Sequence, residues 1–201
     1  QEREKNKSGE VPPMADSNIT KRALAAALKS LLAERPFAKV SVREICEACG
    51  MSRKSFYYHF KDKYELLNWI FETEFVARVQ QIQGERNAWE LLNDLCCYFY
   101  DNRDFYRRAF AVQGQNSFRD YFREVIGLML QSEMERIFGQ EENIAFNTGL
   151  YLDALTCAIL NWLQSRQPQP PAEFCALLRR CVVDVSGHML AAYREEENEK
   201  P

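Results

Sequence analysis

Between Ser52 and Lys63 the chain sets Arg53, Lys54, Ser55, Tyr57, Tyr58, His59 and Lys63 in close succession. Arg43 and Ser41 lie a short way upstream. These types suit nucleic acid: cations neutralise phosphates, hydroxyls and imidazole donate to phosphate oxygens, and an arginine fork pairs with the edge of guanine. A hydrophobic core has little use for so many donors. The same residues make poor catalysts. His59 and His188 are the chain's two histidines, and neither stands in a Cys-His or Ser-His arrangement that would activate a nucleophile. The expectation is therefore no enzyme and no cofactor. Cys46 and Cys49 form a C-x-x-C, but zinc takes about four ligands, and the sequence offers no second such pair and no histidine pair. No metal is expected, and packing of small side chains is preferred to a redox switch.

The donors must be held by a frame, and its punctuation is local. Ser41 and Glu44 make the S-x-x-E capping box, so a helix begins near Val42. Ile45, Ala48 and Cys49 give it a narrow apolar face. Gly50 supplies the left-handed residue that closes a helix, and Ser52 caps the next one. Within Ser52–Phe60, Phe56 and Phe60 are spaced to anchor that short second helix inward. The stretch from Ser41 to Lys63 thus reads as a helix-turn-helix.

The run Ile45 to Ser52, followed by Phe56, Tyr57, His59, Phe60, Lys63 and Leu66, resembles the TetR family of bacterial transcription regulators over residues 19 to 67. FYYHFKDKYELLNWIF is similar, further, to the branch that regulates dihydroxyacetone kinase operons. The resemblance implies an all-α protein: an N-terminal three-helix DNA-binding domain, then a C-terminal helical bundle for ligand binding and dimerisation. It also implies a homodimer on a palindromic operator of double-stranded DNA, acting as a repressor released by a small-molecule effector. The alternative it carries is an activator governed by a co-regulator protein. Ser41, Tyr57, His59 and Lys63 are expected at phosphates, and Arg43, Arg53, Lys54, Ser55 and Tyr58 at bases, with Ser52 capping among them.

Charge is divided in the sense this requires. The net charge is −3, yet residues 18–64 carry ten Lys and Arg against four Asp and Glu, while residues 65–201 carry thirteen against twenty-one. A segment at +6 is drawn to phosphate and one at −8 repelled, which orients the molecule on a duplex. Seven cysteines without a signal peptide or an apolar run near 18 residues point to free thiols in a reducing cytoplasm and to no membrane partner.

The remaining elements follow from period and punctuation. Residues 1–17 read as a disordered arm or upstream extension, 18–64 as the DNA-binding domain, 65–82 as a connecting helix and 83–201 as the regulatory and dimerisation domain. Leu24, Ala27, Leu28 and Leu31 give the core face of a first helix, Thr20 to Arg35. Lys21 and Arg22 are placed in its first turn, where the helix dipole disfavours cations; a nearby phosphate would compensate, and plain solvation is the equal alternative. Asp62 with Glu65 starts the connecting helix, whose apolar stripes run through Leu66, Leu67, Ile70, Phe71, Val79 and Ile82. A hinge is expected over Gln80 to Asn87. Helices follow over 88–101, 104–112 and 118–138, with Phe99, Tyr106, Phe110, Phe122 and Ile126 as candidate pocket lining. Arg107, Arg108, Arg119 and Arg123 are candidate anion-binding groups beside it, with a solvated or salt-bridged surface the preferred reading for each. Helices 144–165 and 174–193 are too apolar for one copy to cover. Ala154, Ala158, Trp162, Leu178, Val182 and Val185 are expected in a four-helix interface between two copies. The tail from Arg194 is expected to fray.

Overall fold

Side-chain caps begin the helices where the sequence places them. Ser41 Oγ accepts the Glu44 N–H at 3.3 Å and Glu44 Oε2 accepts the Ser41 N–H at 2.8 Å, a reciprocal box that opens α2 (Val42–Ala48). Ser52 Oγ accepts the Ser55 N–H at 3.1 Å and opens α3 (Arg53–His59). Asp62 Oδ1 takes the N–H groups of Tyr64 and Glu65 and opens α4 (Lys63–Phe71). Each cap satisfies donors that a helix start leaves without partners. Gly50, at φ +67°, supplies the left-handed turn between α2 and α3.

This computed structural model describes residues 14–82, 86–112, 117–138 and 143–198, and every regular element among them is helical. Two compact units are present, one ending at Ile70 and the other beginning at Phe71. In the first, α1 (Met14–Glu34) and a 3-10 turn (Phe37–Lys39) precede α2, α3 and α4. Its core is Leu24, Leu28, Leu32, Phe37, Ile45, Phe56, Phe60, Leu66 and Leu67, all buried. At roughly 1.5–3 kcal/mol for each fully buried large apolar side chain, these hold three short helices that would not persist alone.

Several local expectations shift by a residue or a turn. The first helix starts at Met14, six residues before Thr20, so residues 14–17 are helical rather than part of an arm; residues 1–13 lie outside the described residues. Lys21 and Arg22 are consequently in its interior, and the dipole argument for a phosphate beside them fails. Leu32 is buried where Leu31 was expected, and Cys46 packs inward in place of Ala48 and Cys49. Cys46 Sγ is within 3.8 Å of the Ser52 carbonyl, so the small thiol seats the turn.

The connecting helix changes geometry. After α4 comes a wider π-helical turn, Glu72–Val76, and then α5 (Ala77–Gln81), with Ile82 exposed. The boundary between the units falls within this stretch, inside the span expected for a connector. The physical reason is that Phe71 and Phe75 belong to the ring cluster of the second unit. Part of the expected hinge, residues 83–85, lies outside the described residues.

The second unit holds α6 (Ala88–Asp101), α7 (Arg103–Ala109), α8 (Phe118–Phe138), α9 (Ile144–Gln164) and α10 (Pro171–Asn198). Helix α7 ends at Ala109, short of residue 112. Helix α10 begins three residues before Phe174 because Pro171 starts a helix rather than breaking it, its missing N–H being one that a first turn leaves unused. It runs past Arg194 to Asn198, where a frayed tail was expected. The centre is aromatic. Phe99 meets Tyr106 at 4.6 Å between centroids, Phe110 meets Phe118 at 4.8 Å, and Phe122 touches Phe71, Phe99 and Phe110. Two carboxylates of the π-helical turn reach polar partners at its margin. Tyr98 Oη donates to Glu74 at 2.9 Å and lies 2.5 Å from Tyr106 Oη, while Tyr121 Oη donates to Glu72. Burial raises the Tyr98 and Tyr106 hydroxyls above the usual phenol range, keeping both protonated as donors.

Candidate nucleic-acid interface

Helix α3 is seven residues long, and its side chains divide sharply. Phe56 and Phe60 point into the core, with Phe60 against Trp69 at 5.8 Å. Arg53, Lys54, Tyr57 and Tyr58 are exposed, the two tyrosines at 50% and 66%. Two bare phenol rings side by side on a short helix present both stacking area and hydroxyl donors. Arg53 and Lys54 occupy the first turn, which holds no acidic residue. The Arg53 guanidinium lies 5.9 Å from the Tyr57 ring, an i, i+4 contact that steadies both without using the guanidinium donors. Ser55 and His59 are half-buried, and burial together with the Lys21 charge lowers the His59 pKa. A neutral imidazole there donates one hydrogen bond and adds no positive charge.

The remaining expected contacts surround one shallow cleft. Ser41, Tyr57 and Lys63 line an open depression of about 380 Å³ together with the connector after α1 and the start of α4. Lys39 lines it too and is exposed. Sequence reading missed Lys39, although a lysine two residues before a capping serine was the available signal. The cleft gathers two cations, Lys39 and Lys63, and three hydroxyls, Ser41, Tyr57 and Tyr64, beside the Asp62 carboxylate that caps α4.

Two of its members are tied more firmly than their spacing suggests. Lys63 Nζ donates to the carbonyls of Phe37 at 2.8 Å and Val40 at 2.6 Å, and lies 4.5 Å from the Phe37 ring. Burial lowers its pKa. An ammonium has three donors, so one is left for a phosphate. Ser41 donates its hydroxyl to Glu44 at 2.7 Å and its N–H to the same carboxylate. Glu44 also accepts from Arg35 at 2.7 Å, which joins the end of α1 to the start of α2. The Ser41 hydroxyl and N–H, followed by Arg35, lower the Glu44 pKa to about 2. Both Ser41 donors are thereby used within the cap, so a phosphate contact requires its hydroxyl to turn away from Glu44.

Arg43 is exposed and pairs with Glu47 through Nε at 2.7 Å, an i, i+4 contact that raises its pKa. Such a solvated pair holds the guanidinium only weakly. Lys21, not foreseen as part of the fold, sits over the rings of Phe60 and Trp69 at 5.7 and 5.8 Å and steadies the C-terminal end of α3.

The expected sites in the second unit separate differently. Phe99, Tyr106, Phe110, Phe122 and Ile126 are all buried, and the four rings pack on one another. Arg123 pairs with Asp153 and Arg107 with Asp104, and Arg119 reaches Cys157 Sγ at 3.8 Å. Arg107 and Arg123 are thus engaged in surface ion pairs. Ala154 and Val182 are exposed, and Ala158 and Leu178 are half-buried. Trp162 is a correction. It is buried within its own chain, stacked on Phe174 at 4.5 Å with Nε1 donating to the Gln169 carbonyl at 2.9 Å, so it fastens the α9–α10 connection. The Val185 and His188 side chains lie outside those described. Among the described residues no group of three or more ligand types could hold a metal, and no helix is long and apolar enough to cross a membrane.

Comparison with known proteins agrees with this geometry. Residues 23–70 match the family described as bacterial regulatory proteins, tetR family, and residues 87–184 match the transcriptional regulator C-terminal region of the same family. An HTH-type dhaKLM operon transcriptional activator, DhaS, of Lactococcus lactis subsp. lactis (strain IL1403) is 30% identical over 112 residues. That match spans 54% of this chain and 57% of the relative, so about half of each. Among solved structures, a TetR transcriptional regulator from Streptococcus agalactiae 2603V superposes with a TM-score of 0.64 at 20% identity, covering 82% of this chain and 93% of that one. The dihydroxyacetone kinase operon activator DhaS superposes at 0.61 with 19% identity, covering 84% and 97%. At these identities the two superpositions establish the fold.

Proposed function

We propose that this chain, which belongs to the TetR family of bacterial transcription regulators, binds a near-palindromic operator as a homodimer through α2 and α3. It is a regulator and not an enzyme, as family members are DNA-binding transcription factors. The observation that carries the DNA reading is the split of α3 into a buried phenylalanine pair and an exposed face of Arg53, Lys54, Tyr57 and Tyr58. Tyr57, Lys63 and Lys39 contact phosphates around their cleft, with His59 beside them, and Ser41 joins them when its hydroxyl turns away from Glu44. Arg43, Arg53, Lys54, Ser55 and Tyr58 read bases. Ser52 holds the start of α3 in register. The acting compartment is the cytoplasm, where the operator is.

Dimerisation is supported by what one copy leaves uncovered. Helix α10 buries Phe174 and Cys175, but every described side chain from Arg179 to Asp184 is exposed, Val182 and Val183 among them. On α9, Phe146 and Leu150 are exposed at 73% and 58%. An apolar stretch this exposed is marginal in water unless a second surface covers it. Ala154, Ala158, Leu178 and Val182 fall on or beside these faces and form the interface.

Control by an effector is the first regulatory reading: repression is relieved when a small molecule parts the rings around Phe99, Tyr106, Phe110, Phe122 and Ile126. A second reading, activation under a partner protein, is favoured by how closely those rings pack on one another. The DNA reading is tested by selecting binding sites from randomised duplexes. Recovery of two related half-sites about one helical turn apart supports it, and no enrichment over bulk DNA overturns it. The dimer is tested by Ala154→Glu, with size and operator affinity measured together. Monomeric protein with weakened binding is expected, and an unchanged dimer at unchanged affinity places the interface elsewhere.

A further inference from the structure

Three cysteines meet where α10 crosses α6, in a part of the molecule that DNA binding does not use. Cys96 is fully buried, Cys175 is 8% exposed, and Cys97 is half-buried. All are free thiols. Cys175 Sγ lies 3.9 Å from the Leu92 carbonyl. In an α-helix that carbonyl accepts the N–H of Cys96, and the Cys96 side chain leans back over the same turn. The two sulfurs are thereby brought onto one turn of α6, near enough for each thiol to shift the other's pKa, Cys96 upward and Cys175 downward. Cys97 is turned roughly 100° away around the helix, where Asn93 Nδ2 donates to its sulfur at 3.8 Å. The pair is Cys96 with Cys175.

We propose that Cys96 and Cys175 are a dithiol modification site that closes to an internal disulfide on meeting a hydroperoxide, cross-linking α6 to the start of α10. The direction of attack follows from exposure: Cys175 is 8% exposed and Cys96 fully buried. The neighbouring Cys96 lowers the Cys175 pKa, while Cys175 and then burial raise the Cys96 pKa, in the same sense. Its thiolate attacks the peroxide oxygen: an S–O bond forms, the O–O bond breaks, and the departing alkoxide or hydroxide takes up a proton. The Cys96 sulfur then attacks the resulting sulfenic acid. The S–S bond forms, the S–O bond breaks, and the leaving hydroxide carries off the Cys96 proton as water. Two thiols and one peroxide become one disulfide, one alcohol or water, and one water, with two electrons passing from sulfur to oxygen. Because the resolving thiol sits on the same turn, the sulfenic acid is captured before a second peroxide can carry it to the irreversible sulfinic state.

The inference is independent of the operator reading, and its test needs no DNA. The full chain carrying Cys157→Ser and Cys181→Ser, which removes the two exposed thiols, retains five of seven cysteines. It is treated with hydrogen peroxide or cumene hydroperoxide, alkylated under denaturing conditions, digested and mapped by mass spectrometry. The expected result is three alkylated cysteines, loss of the mass of two hydrogens, and one peptide pair joined through Cys96 and Cys175, all reversed by a thiol reductant. Cys175→Ser, at the more exposed position, should leave Cys96 reduced. Five alkylated cysteines after treatment, a Cys46–Cys49 or Cys96–Cys97 bond, or sulfinic acid at Cys175 would each overturn the proposal.

Discussion

The unit ending at Ile70 and the unit beginning at Phe71 solve the placement of polar groups in opposite ways. In the first, hydroxyls and carboxylates work at the surface as caps, Ser41 with Glu44, Ser52 with Ser55 and Asp62 with Glu65, and they leave the donors of α3 facing outward. In the second, tyrosine hydroxyls are drawn inward beside a packed cluster of rings and satisfied by carboxylates from a π-helical turn. The first arrangement uses neighbours a few residues apart. The second joins Glu74 to Tyr98 and Glu72 to Tyr121, pairs 24 and 49 positions apart, so its logic is invisible until the helices are assembled.

The largest expected effect breaks the ring cluster. Phe99→Ala should lower the unfolding free energy of its unit by about 3–5 kcal/mol, as a cavity opens among rings that cannot collapse to fill it. Denaturation followed by tyrosine and tryptophan fluorescence measures it. A loss below about 1 kcal/mol would mean that these rings line a space rather than fill one, and would favour the effector reading over the partner reading.

Arg53→Ala should leave stability nearly unchanged while costing roughly 1–3 kcal/mol of operator binding, with preference relaxed at a single base pair. Binding profiles on randomised half-sites decide it, and retention of every base preference would reduce Arg53 to a positioning role.

Lys63→Ala sits between the two modes, since Lys63 both fastens the connector and lines the cleft. Affinity should fall on all duplexes alike, and the salt dependence should flatten by about one unit of slope as one counterion fewer is released. Weaker binding at an unchanged slope would assign Lys63 wholly to the Phe37 and Val40 carbonyls.

The smallest effect is in the cap. Because the Glu44 pKa is lowered to about 2, its contribution is complete above the ordinary carboxylate range. It is lost as pH falls through about 4.5 toward 2. The first unit should lose part of its acid stability in that window, and Glu44→Gln should remove the dependence. Identical acid unfolding of the parent and Glu44→Gln would show that Arg35 and Ser41 do not depend on the charge.

Much of the first unit was legible because its determinants are short-range. The capping box, Gly50 and the Phe56–Phe60 spacing are read from neighbours along one helix, and each cap stands where its residues predict. What failed there involved faces rather than ends. Leu32 and Cys46 pack inward instead of Leu31, Ala48 and Cys49 because a third helix, not period alone, decides which side of a short helix is covered. Lys39 and Lys21 acquired roles through contacts with distant rings and clefts.

By itself, then, the sequence determined the helices, their caps, the charge asymmetry and the set of donors on α3, since all depend on spacing and composition. Only the tertiary structure decided how those residues are used. It turned Trp162 from a surface candidate into an internal fastening, placed the boundary at Phe71 by drawing that ring into the second core, and brought Cys175 onto the turn of Cys96. Contacts between residues dozens of positions apart are fixed by which helices cross and at what angle. No local pattern encodes that angle, because it results from the packing of every side chain at the crossing.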